Sequence, residues 1–423
     1  MKVLLVGGGG REHTLAWKLA QSSRLTELIA APGNPGIARL GRCVGIKDDK
    51  IEGLCHLALH ERVDLTVVGP ELPLSLGLAD RLRERGGAVF GPSQAAARIE
   101  SSKAFAKDLM ARYSIPTARY RSFTEIAPAR AWCRELGVPL VVKADGLAAG
   151  KGVIICRTLE EADAALALCL ESAAFGAAGA SVVVEEFMVG EEASFFAITD
   201  GTAILPLAGA QDHKTVFDGD RGPNTGGMGA YSPAPVLDAA MADRVMAEIV
   251  RPTVAALARE GTPFTGFLYV GLMIGSDGPR VVEFNCRFGD PECQVVIPRL
   301  GDDLLPILAG AARGGGLPAA LAWKPDAAVC VVLASGGYPG RYDTGLPITG
   351  IEEAEALPGV QVFHAGTARR DGALVTAGGR VLGVHATGPD LRAAVETAYA
   401  AADRIQFRGK HHRRDIAWRA LHR

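Results

Sequence analysis

Over the first hundred residues, short apolar runs alternate with stretches of helical period. The runs fall at 2–6, 28–31, 65–68 and 88–90, with amphipathic segments such as 12–21 and 74–85 between them. Strands separated by helices predict βαβ units and an open parallel α/β sheet. From 118 to about 187 the pattern becomes that of a small α+β unit. Strands are expected there at 118–121, 140–143, 153–156 and 182–185, and helices at 125–136 and 159–171. Longer strands follow at 193–198, 265–274 and 280–284, with a helix at 239–259. Gly314-Gly315-Gly316-Leu317-Pro318 and Lys324-Pro325 punctuate a boundary. Beyond it the chain is strand-rich, with one late helix at 391–405. The expected fold class is α/β and α+β multidomain: an N-terminal open parallel α/β domain at 1–101, a central two-part domain at 102–318 whose smaller part spans about 118–188, and a strand-rich C-terminal domain at 325–423.

Composition changes this picture little. A chain of 423 residues exceeds one ordinary core, in keeping with about three domains. The net charge of −2 provides no global basic field for nucleic acid. The one basic run, Lys410-His411-His412-Arg413-Arg414, reads as a solvated or structural face. No apolar run approaches the ~18 residues needed to span a bilayer, and the N-terminus enters a strand without a signal-peptide pattern. The eight cysteines are scattered without metal-site spacing and mostly sit in apolar stretches, as buried thiols of a reducing cytosol do. The expectation is a cytoplasmic protein with neither a nucleic-acid nor a membrane partner.

Candidate chemistry concentrates in a few segments. Val281-Val282-Glu283-Phe284-Asn285-Cys286-Arg287-Phe288-Gly289-Asp290-Pro291-Glu292 reads as a strand ending in polar groups. Strand alternation puts Glu283 and Asn285 on one face. A carboxylate and an amide oxygen so placed suit a hard cation such as Mg²⁺, which takes few protein ligands and fills its shell with phosphate and water. Arg287 beside them is suited to clamp an anion. Lys143 ends an apolar run and precedes Gly146-Leu147-Ala148-Ala149-Gly150-Lys151-Gly152, a lysine and glycine arrangement that suits phosphate. The Walker A pattern is not met, because Gly146 and Gly150 are too close and Gly152 stands at the Ser/Thr position. Gly7-Gly8-Gly9-Gly10 follows the first strand, but G-x-G-x-x-G/A fails at Glu12 or His13, which disfavours a dinucleotide and leaves a single-phosphate cradle. Asp212-His213-Lys214 precedes the glycine-rich 222–229, ample for a backbone anion cradle. For His213, a hydrogen-bonded structural imidazole is favoured over a general base.

These segments resemble, in order and spacing, those of the glycinamide ribonucleotide synthetase family of the ATP-grasp superfamily. Val6-Gly7-Gly8-Gly9-Gly10-Arg11-Glu12-His13, Ala31-Pro32-Gly33-Asn34, Val68-Gly69-Pro70-Glu71 and Gly222-Pro223-Asn224-Thr225-Gly226-Gly227-Met228-Gly229-Ala230-Tyr231 carry the resemblance further, and it extends to Arg414-Asp415-Ile416. It implies a central two-part ATP-grasp domain with 118–188 as its lid. It also implies ATP-dependent ligation of glycine to 5-phosphoribosylamine through glycyl phosphate, with Mg²⁺ or Mn²⁺, by a cytoplasmic monomer of purine biosynthesis. By position, Lys103, Lys143, Gly146, Gly150, Lys151 and Gly152 would meet phosphate, with the 146–152 loop closing on it. Glu185, Glu186 and Met188 would line the base, and Glu192 would hold the ribose. Asp212 would hold the glycine ammonium and Arg287 its carboxylate or acyl-phosphate oxygens. Gly8, Gly9, Gly10, Lys214, Asn224, Thr225, Gly226, Gly227 and Asp290 would complete the substrate site. Glu283 and Asn285 would be the metal ligands, and Arg287, Asp212 and Lys143 the catalytic residues. Gly271 aligns where some relatives carry a further metal carboxylate, which leaves the number of ions open. The alternatives are an ATP-grasp ligase of other substrates such as a purine-pathway carboxylase subunit, a nucleotide-dependent oxidoreductase, and a non-catalytic ATP sensor.

Overall fold

The structure, a computed structural model, describes residues 1–146, 152–171 and 181–423. Five parallel strands, β1 (Lys2–Gly7), β2 (Glu27–Pro32), β3 (Arg42–Cys43), β4 (Leu65–Val68) and β5 (Val89–Phe90), form the first sheet in the order β3-β2-β1-β4-β5. Val3 to Val6 are wholly buried, because a central parallel strand is covered on both faces and needs an unbroken apolar run. The helix Gly10–Leu19 leaves the carboxyl end of β1, so the glycine-rich turn lies at the edge where open α/β sheets bind ligands.

A four-stranded antiparallel sheet follows: β6 (Tyr120–Phe123), β7 (Leu140–Ala144), β8 (Val153–Cys156) and β9 (Val182–Glu186), in the order β6-β9-β7-β8. Helices Ile126–Leu136 and Leu159–Leu170 pack on it around Trp132, Leu140, Val142, Leu166 and Val184. β6 begins two residues later than the apolar pattern suggests, since Ile115 and Ala118 are buried in the connection instead.

The central sheet is antiparallel and ordered β11-β10-β16-β17, from β10 (Glu191–Asp200), β11 (Ile204–Pro206), β16 (Thr265–Gly275) and β17 (Gly278–Asn285). Between β11 and β16 come β12 (Gln211–Asp212), a hairpin of β13 (Thr215–Phe217) and β14 (Arg221–Asn224), and β15 (Gly229–Ser232). The C-terminal sheet runs β12-β15-β18-β22-β19, with β18 (Ala327–Ala334), β19 (Val360–His364), β20 (Thr367–Arg370), β21 (Ala373–Thr376) and β22 (Arg380–Gly388), the pair β20-β21 standing apart. Two of its five strands therefore come from upstream of the Gly/Pro boundary. The helix Leu391–Arg404 covers this sheet through Ala394, Ala398, Ala401 and Ala402. A shared apolar cluster joins Val3 and Leu5 of the first sheet to Phe196 and Phe267 of the central one, Phe288 just after it, and Cys330 of the last. The eight cysteines are free thiols, and among the described residues no helix is long and apolar enough to cross a membrane.

Candidate active site

β17 carries Glu283 and Asn285 on either side of Phe284, as strand alternation predicts. Phe284 points into the core and is buried, and the flanking Glu283 and Asn285 stand opposite Gly271 and Tyr269 of β16. The register shifts between Gly271 and Leu272, so Val282 is the extra residue of a β-bulge that bends the strand beside Glu283. A β-carbon at 271 would stand 3.3 Å from Cγ of Glu283, so glycine there leaves the carboxylate room. Nδ2 of Asn285 donates to the Phe284 carbonyl at 2.7 Å, and Oδ1 keeps its lone pairs. Glu283 makes no ion pair or hydrogen bond among the described residues. Two free, hard oxygens on one strand face fit a divalent cation. Among the described residues no group of three or more His, Cys, Asp or Glu surrounds them, so a cation here would complete its shell with phosphate and water.

Three lysines converge from the lid and the helix before it. Lys143, next to last in β7, donates to the Val282 carbonyl at 3.1 Å and pairs with Oε1 of Glu185 on β9. Lys107 pairs with the other oxygen of Glu185 and donates to Thr117 Oγ1 at 2.7 Å. Lys103, one helical turn earlier, reaches the Gly146 carbonyl at 2.8 Å. Burial pulls the Lys103 ammonium below its usual range, with Glu283 opposing. Gly146 has φ of +121°, a backbone that only glycine adopts readily. The Gly152 carbonyl accepts from the Ala144 N–H at 2.8 Å. Gly150 and Lys151 lie outside the described residues. Past β9, Met188 is buried beside the highly exposed Val189. The carboxylate of Glu186 takes the Arg119 N–H at 3.1 Å and Arg280 Nη1 at 2.8 Å. Its side chain is thus spent on protein, and its own N–H donates to the Arg119 carbonyl at 2.9 Å.

Asp212, in β12, stands beside Lys214, Glu192 and the buried Glu292. Burial pushes its carboxyl up to about 7, with Lys214 opposing and Glu292 and Glu192 adding. Lys214 Nζ sits 2.6 Å from Glu192 Oε2, joining two residues assigned by sequence to different ligands. It also lies within electrostatic reach of Glu283, which places β17 and the Asp212 segment around one space. Ser194 Oγ links Tyr269 Oη and Glu292 Oε1, each at 3.1 Å. His213 is wholly buried, and its Nε2 accepts the Ala417 N–H at 3.0 Å. Burial, with Arg413 and Arg419 nearby, drives it down to about 3, so it is neutral at physiological pH. The basic run is structural: Arg413 has no exposed surface and binds Asp415, Asp220 and Thr215.

The other residues expected at a substrate site meet where the first and last sheets face each other. Gly8 packs on the Gly33 carbonyl, Asn34 Nδ2 donates to the Gly8 carbonyl at 2.8 Å, and the Gly9 N–H donates to Glu12 Oε2 at 2.7 Å. A β-carbon at Gly10 would stand 2.6 Å from Gln294 Nε2, which donates to Asp290 Oδ1 at 2.8 Å. Gly227 has φ of +110° and lies against Pro291, and Thr225 Oγ1 receives its N–H at 2.9 Å. Asn224 is exposed at the end of β14. Arg380 at the start of β22 ties these parts together: Nη1 donates to the Gly226 and Asp290 carbonyls, each at 2.6 Å, and Nη2 lies 3.3 Å from Asp290 Oδ2.

Arg287 departs from the sequence expectation of a guanidinium open to substrate oxygens. Its Nε donates to Glu71 at 3.2 Å, Nη2 pairs with Glu100 at 2.9 Å and Nη1 donates to the Phe288 carbonyl at 3.2 Å. All three nitrogens serve the protein; burial would pull its pKa down, but the Glu100 and Glu71 carboxylates outweigh it and raise it. Sequence reading also passed over Lys107, Glu292 and Arg380. Lys107 had a signal, one helical turn from Lys103, and Glu292 closes the Arg-Phe-Gly-Asp-Pro-Glu segment. Arg380 had none, since it lies 90 residues from its partner Asp290.

Comparison with known proteins agrees along the whole chain. Residues 1–100 match the family described as Phosphoribosylglycinamide synthetase, N domain, residues 101–293 its ATP-grasp (A) domain, and residues 328–419 its C domain. A phosphoribosylamine–glycine ligase of Rhizobium meliloti is 55% identical over 423 residues, covering 100% of this chain and 99% of the relative. The crystal structure of the phosphoribosylamine–glycine ligase of Thermotoga maritima superposes with a TM-score of 0.87 at 34% identity, over 99% of this chain and 100% of that one. The biotin carboxylase domain of Hydrogenobacter thermophilus 2-oxoglutarate carboxylase, solved with MgADP and bicarbonate, shares the fold at a TM-score of 0.76 and 17% identity, over 97% of this chain and 91% of that one. With three successive domain matches and full-length relatives above half identity, the chain belongs to the phosphoribosylglycinamide synthetase family of ATP-grasp enzymes.

Proposed function

We propose that the residues gathered around β17, β12 and the glycine-rich turn after β1 carry the reaction of this family. The chain is an ATP-dependent carboxylate–amine ligase of purine biosynthesis. It joins glycine to 5-phosphoribosylamine, giving glycinamide ribonucleotide, ADP and phosphate. A carboxylate is a poor electrophile because its leaving group would be oxide. Transfer of the γ-phosphoryl group from ATP to the glycine carboxylate gives glycyl phosphate, and attack by the ribosylamine nitrogen then expels phosphate. Chemistry of this kind asks the protein for position and charge rather than a covalent nucleophile. The observation that carries the reading is the pair of unpartnered oxygens on Glu283 and Asn285, set between the lysines of the lid and the Asp212 segment.

Glu283 and Asn285 would hold Mg²⁺ or Mn²⁺, which when bound supplies a template and Lewis acid for the phosphates. Lys143 and Lys103 would steady the transferred phosphoryl oxygens, with Gly146, Gly150, Lys151 and Gly152 supplying backbone and charge around them. The backbone of Glu185, Glu186 and Met188 would frame the base, and Glu192 the ribose. Asp212 would take the glycine ammonium, whose arrival would draw its carboxyl back into the ionised form. The acceptor would lie against Gly8, Gly9, Gly10, Asn224, Thr225, Gly226, Gly227 and Asp290, near Lys214. Arg287 would shape the site through Glu71 and Glu100, and would reach substrate oxygens only by exchanging one of those partners. The buried free thiols suit the cytoplasm.

The test is substrate dependence. ADP release is expected only with glycine and phosphoribosylamine together. Equal turnover with bicarbonate, alanine or glutamate in place of glycine would assign the chain to another ATP-grasp reaction.

A further inference from the structure

We infer that Lys107 is a positioning residue for nucleotide binding: it holds the Glu185 carboxylate so that Lys143 is free to exchange that carboxylate for a nucleotide phosphate. The inference rests on the reading of Lys143 as a phosphate ligand. Three charged side chains sit together here almost without solvent, with exposures of 3% for Lys107, 5% for Lys143 and 3% for Glu185. Two ammonium groups face one carboxylate, one on each oxygen. A single lysine satisfies a buried carboxylate, so the second leaves one positive charge in excess, a costly arrangement unless an anion completes it.

Geometry separates the two lysines. Lys107 is enclosed: Nζ also donates to Thr117 Oγ1 at 2.7 Å, Thr117 donates to the Val281 carbonyl at 2.7 Å, and the Tyr120 ring lies 5.6 Å away. Lys143 stands at the strand end where the glycine-rich segment begins, and its second partner is the carbonyl of Val282, the residue before Glu283. Lys107 is thus the fixed partner of Glu185 and Lys143 the exchangeable one. Without Lys107, Glu185 would retain Lys143 as its only counter-ion, and phosphate would have to win it from a buried carboxylate.

The groups facing Lys107 are Glu185, Lys143, Glu186 further out, the Tyr120 ring and the Thr117 hydroxyl. Burial pulls Lys107 down to about 8, with Glu185 opposing and Lys143 adding to the shift. Its proton is therefore lost on the alkaline side of neutrality, and the wild-type protein should pass through the Lys107-less condition as pH rises.

The experiment is equilibrium binding of a non-hydrolysable ATP analogue with Mg²⁺ to the full chain, followed by calorimetry. Lys107→Met is expected to weaken the analogue about tenfold, one pK unit of lost charge preference, without altering the KM for glycine. Lys107→Met combined with Glu185→Gln should regain most of that loss, because nothing charged then holds Lys143. Wild-type affinity should fall above pH 8, and Lys107→Met should lack that fall. Unchanged binding in Lys107→Met, or failure of Glu185→Gln to restore it, would overturn the inference. If Lys107→Met does not fold, the wild-type pH profile decides, and a flat profile from pH 7 to 9 overturns it. Lys143→Met separates the two readings. If it binds the analogue as the wild type does, the phosphate role of Lys143 falls. If it binds weakly while Lys107→Met binds normally, only the present inference falls.

Discussion

On the nucleotide side of the site charge is held by charge, with Lys107 and Lys143 flanking Glu185. On the acceptor side charge is held mostly by backbone. Arg380 spends its strongest bonds on the carbonyls of Gly226 and Asp290, and Asn34 spends its amide on Gly8 and His364. The difference separates two kinds of failure. Deleting a charge on the nucleotide side leaves a buried opposite charge uncompensated, which should alter affinity for a charged ligand directly. Deleting one on the acceptor side loosens the relative placement of loops from three sheets, which should alter how the acceptor is positioned rather than remove a charge it meets.

Glu283→Gln should produce the largest effect. It keeps size and removes the charge facing the cation, so turnover should fall by about 10²-fold or more, the scale of losing one electrostatic contact to a transition state. Thermal unfolding should barely move, within about 0.5 kcal/mol for a partly exposed change. Added Mg²⁺ should recover part of the rate. Normal turnover with unchanged metal dependence would remove Glu283 from the metal site.

Asp212→Asn should come next, raising the KM for glycine by about 10- to 100-fold, as expected for a lost charged hydrogen bond, while the KM for ATP stays put. The raised carboxyl has a sign that can be checked. Ionised Asp212 is the form that binds an ammonium, so glycine KM in the wild type should fall as pH rises through about 7. Because the folded value lies above the unfolded one, the folded state binds this proton more tightly, and stability from the group is lost as pH rises through about 7. Asp212→Asn should flatten both profiles. A glycine KM independent of pH from 6 to 8 in the wild type would argue that Asp212 does not meet the ammonium.

A smaller effect is expected from Arg380→Gln. It should raise the KM for phosphoribosylamine by about tenfold, from the loss of charged hydrogen bonds that set the Gly226 and Asp290 segments, and leave ATP binding alone. Equal changes in the two KM values would mean that the two sides are not separable as described.

His213→Gln should have the least effect on catalysis, less than about threefold, the scale of a change that misses the general-base contribution. It should cost about 1–3 kcal/mol in unfolding for the broken bond to the Ala417 N–H. The native imidazole is held below its unfolded value, so its contribution is present above pH 6.5 and is lost as pH falls toward about 3. A large loss of turnover with normal stability would restore a general-base role.

Much of the nucleotide side was legible in the chain because its elements are local. The apolar run before Lys143 and the alternation of Glu283 and Asn285 are each set by neighbours in sequence, and strand periodicity decides which side chains share a face. The open parallel first sheet was readable for the same reason, since runs such as Val3 to Val6 suit only a strand covered on both faces. Tertiary structure alone decided the rest. It enlisted β12 and β15 into the C-terminal sheet across a Gly/Pro boundary, brought Arg380 to Asp290, and spent Arg287 on Glu71 and Glu100 rather than leaving it open. The physical reason is reach. Local periodicity fixes the face on which a side chain stands, whereas a charged group's partner is chosen by whichever buried carboxylate or carbonyl packing brings within about 3 Å, at any distance along the chain.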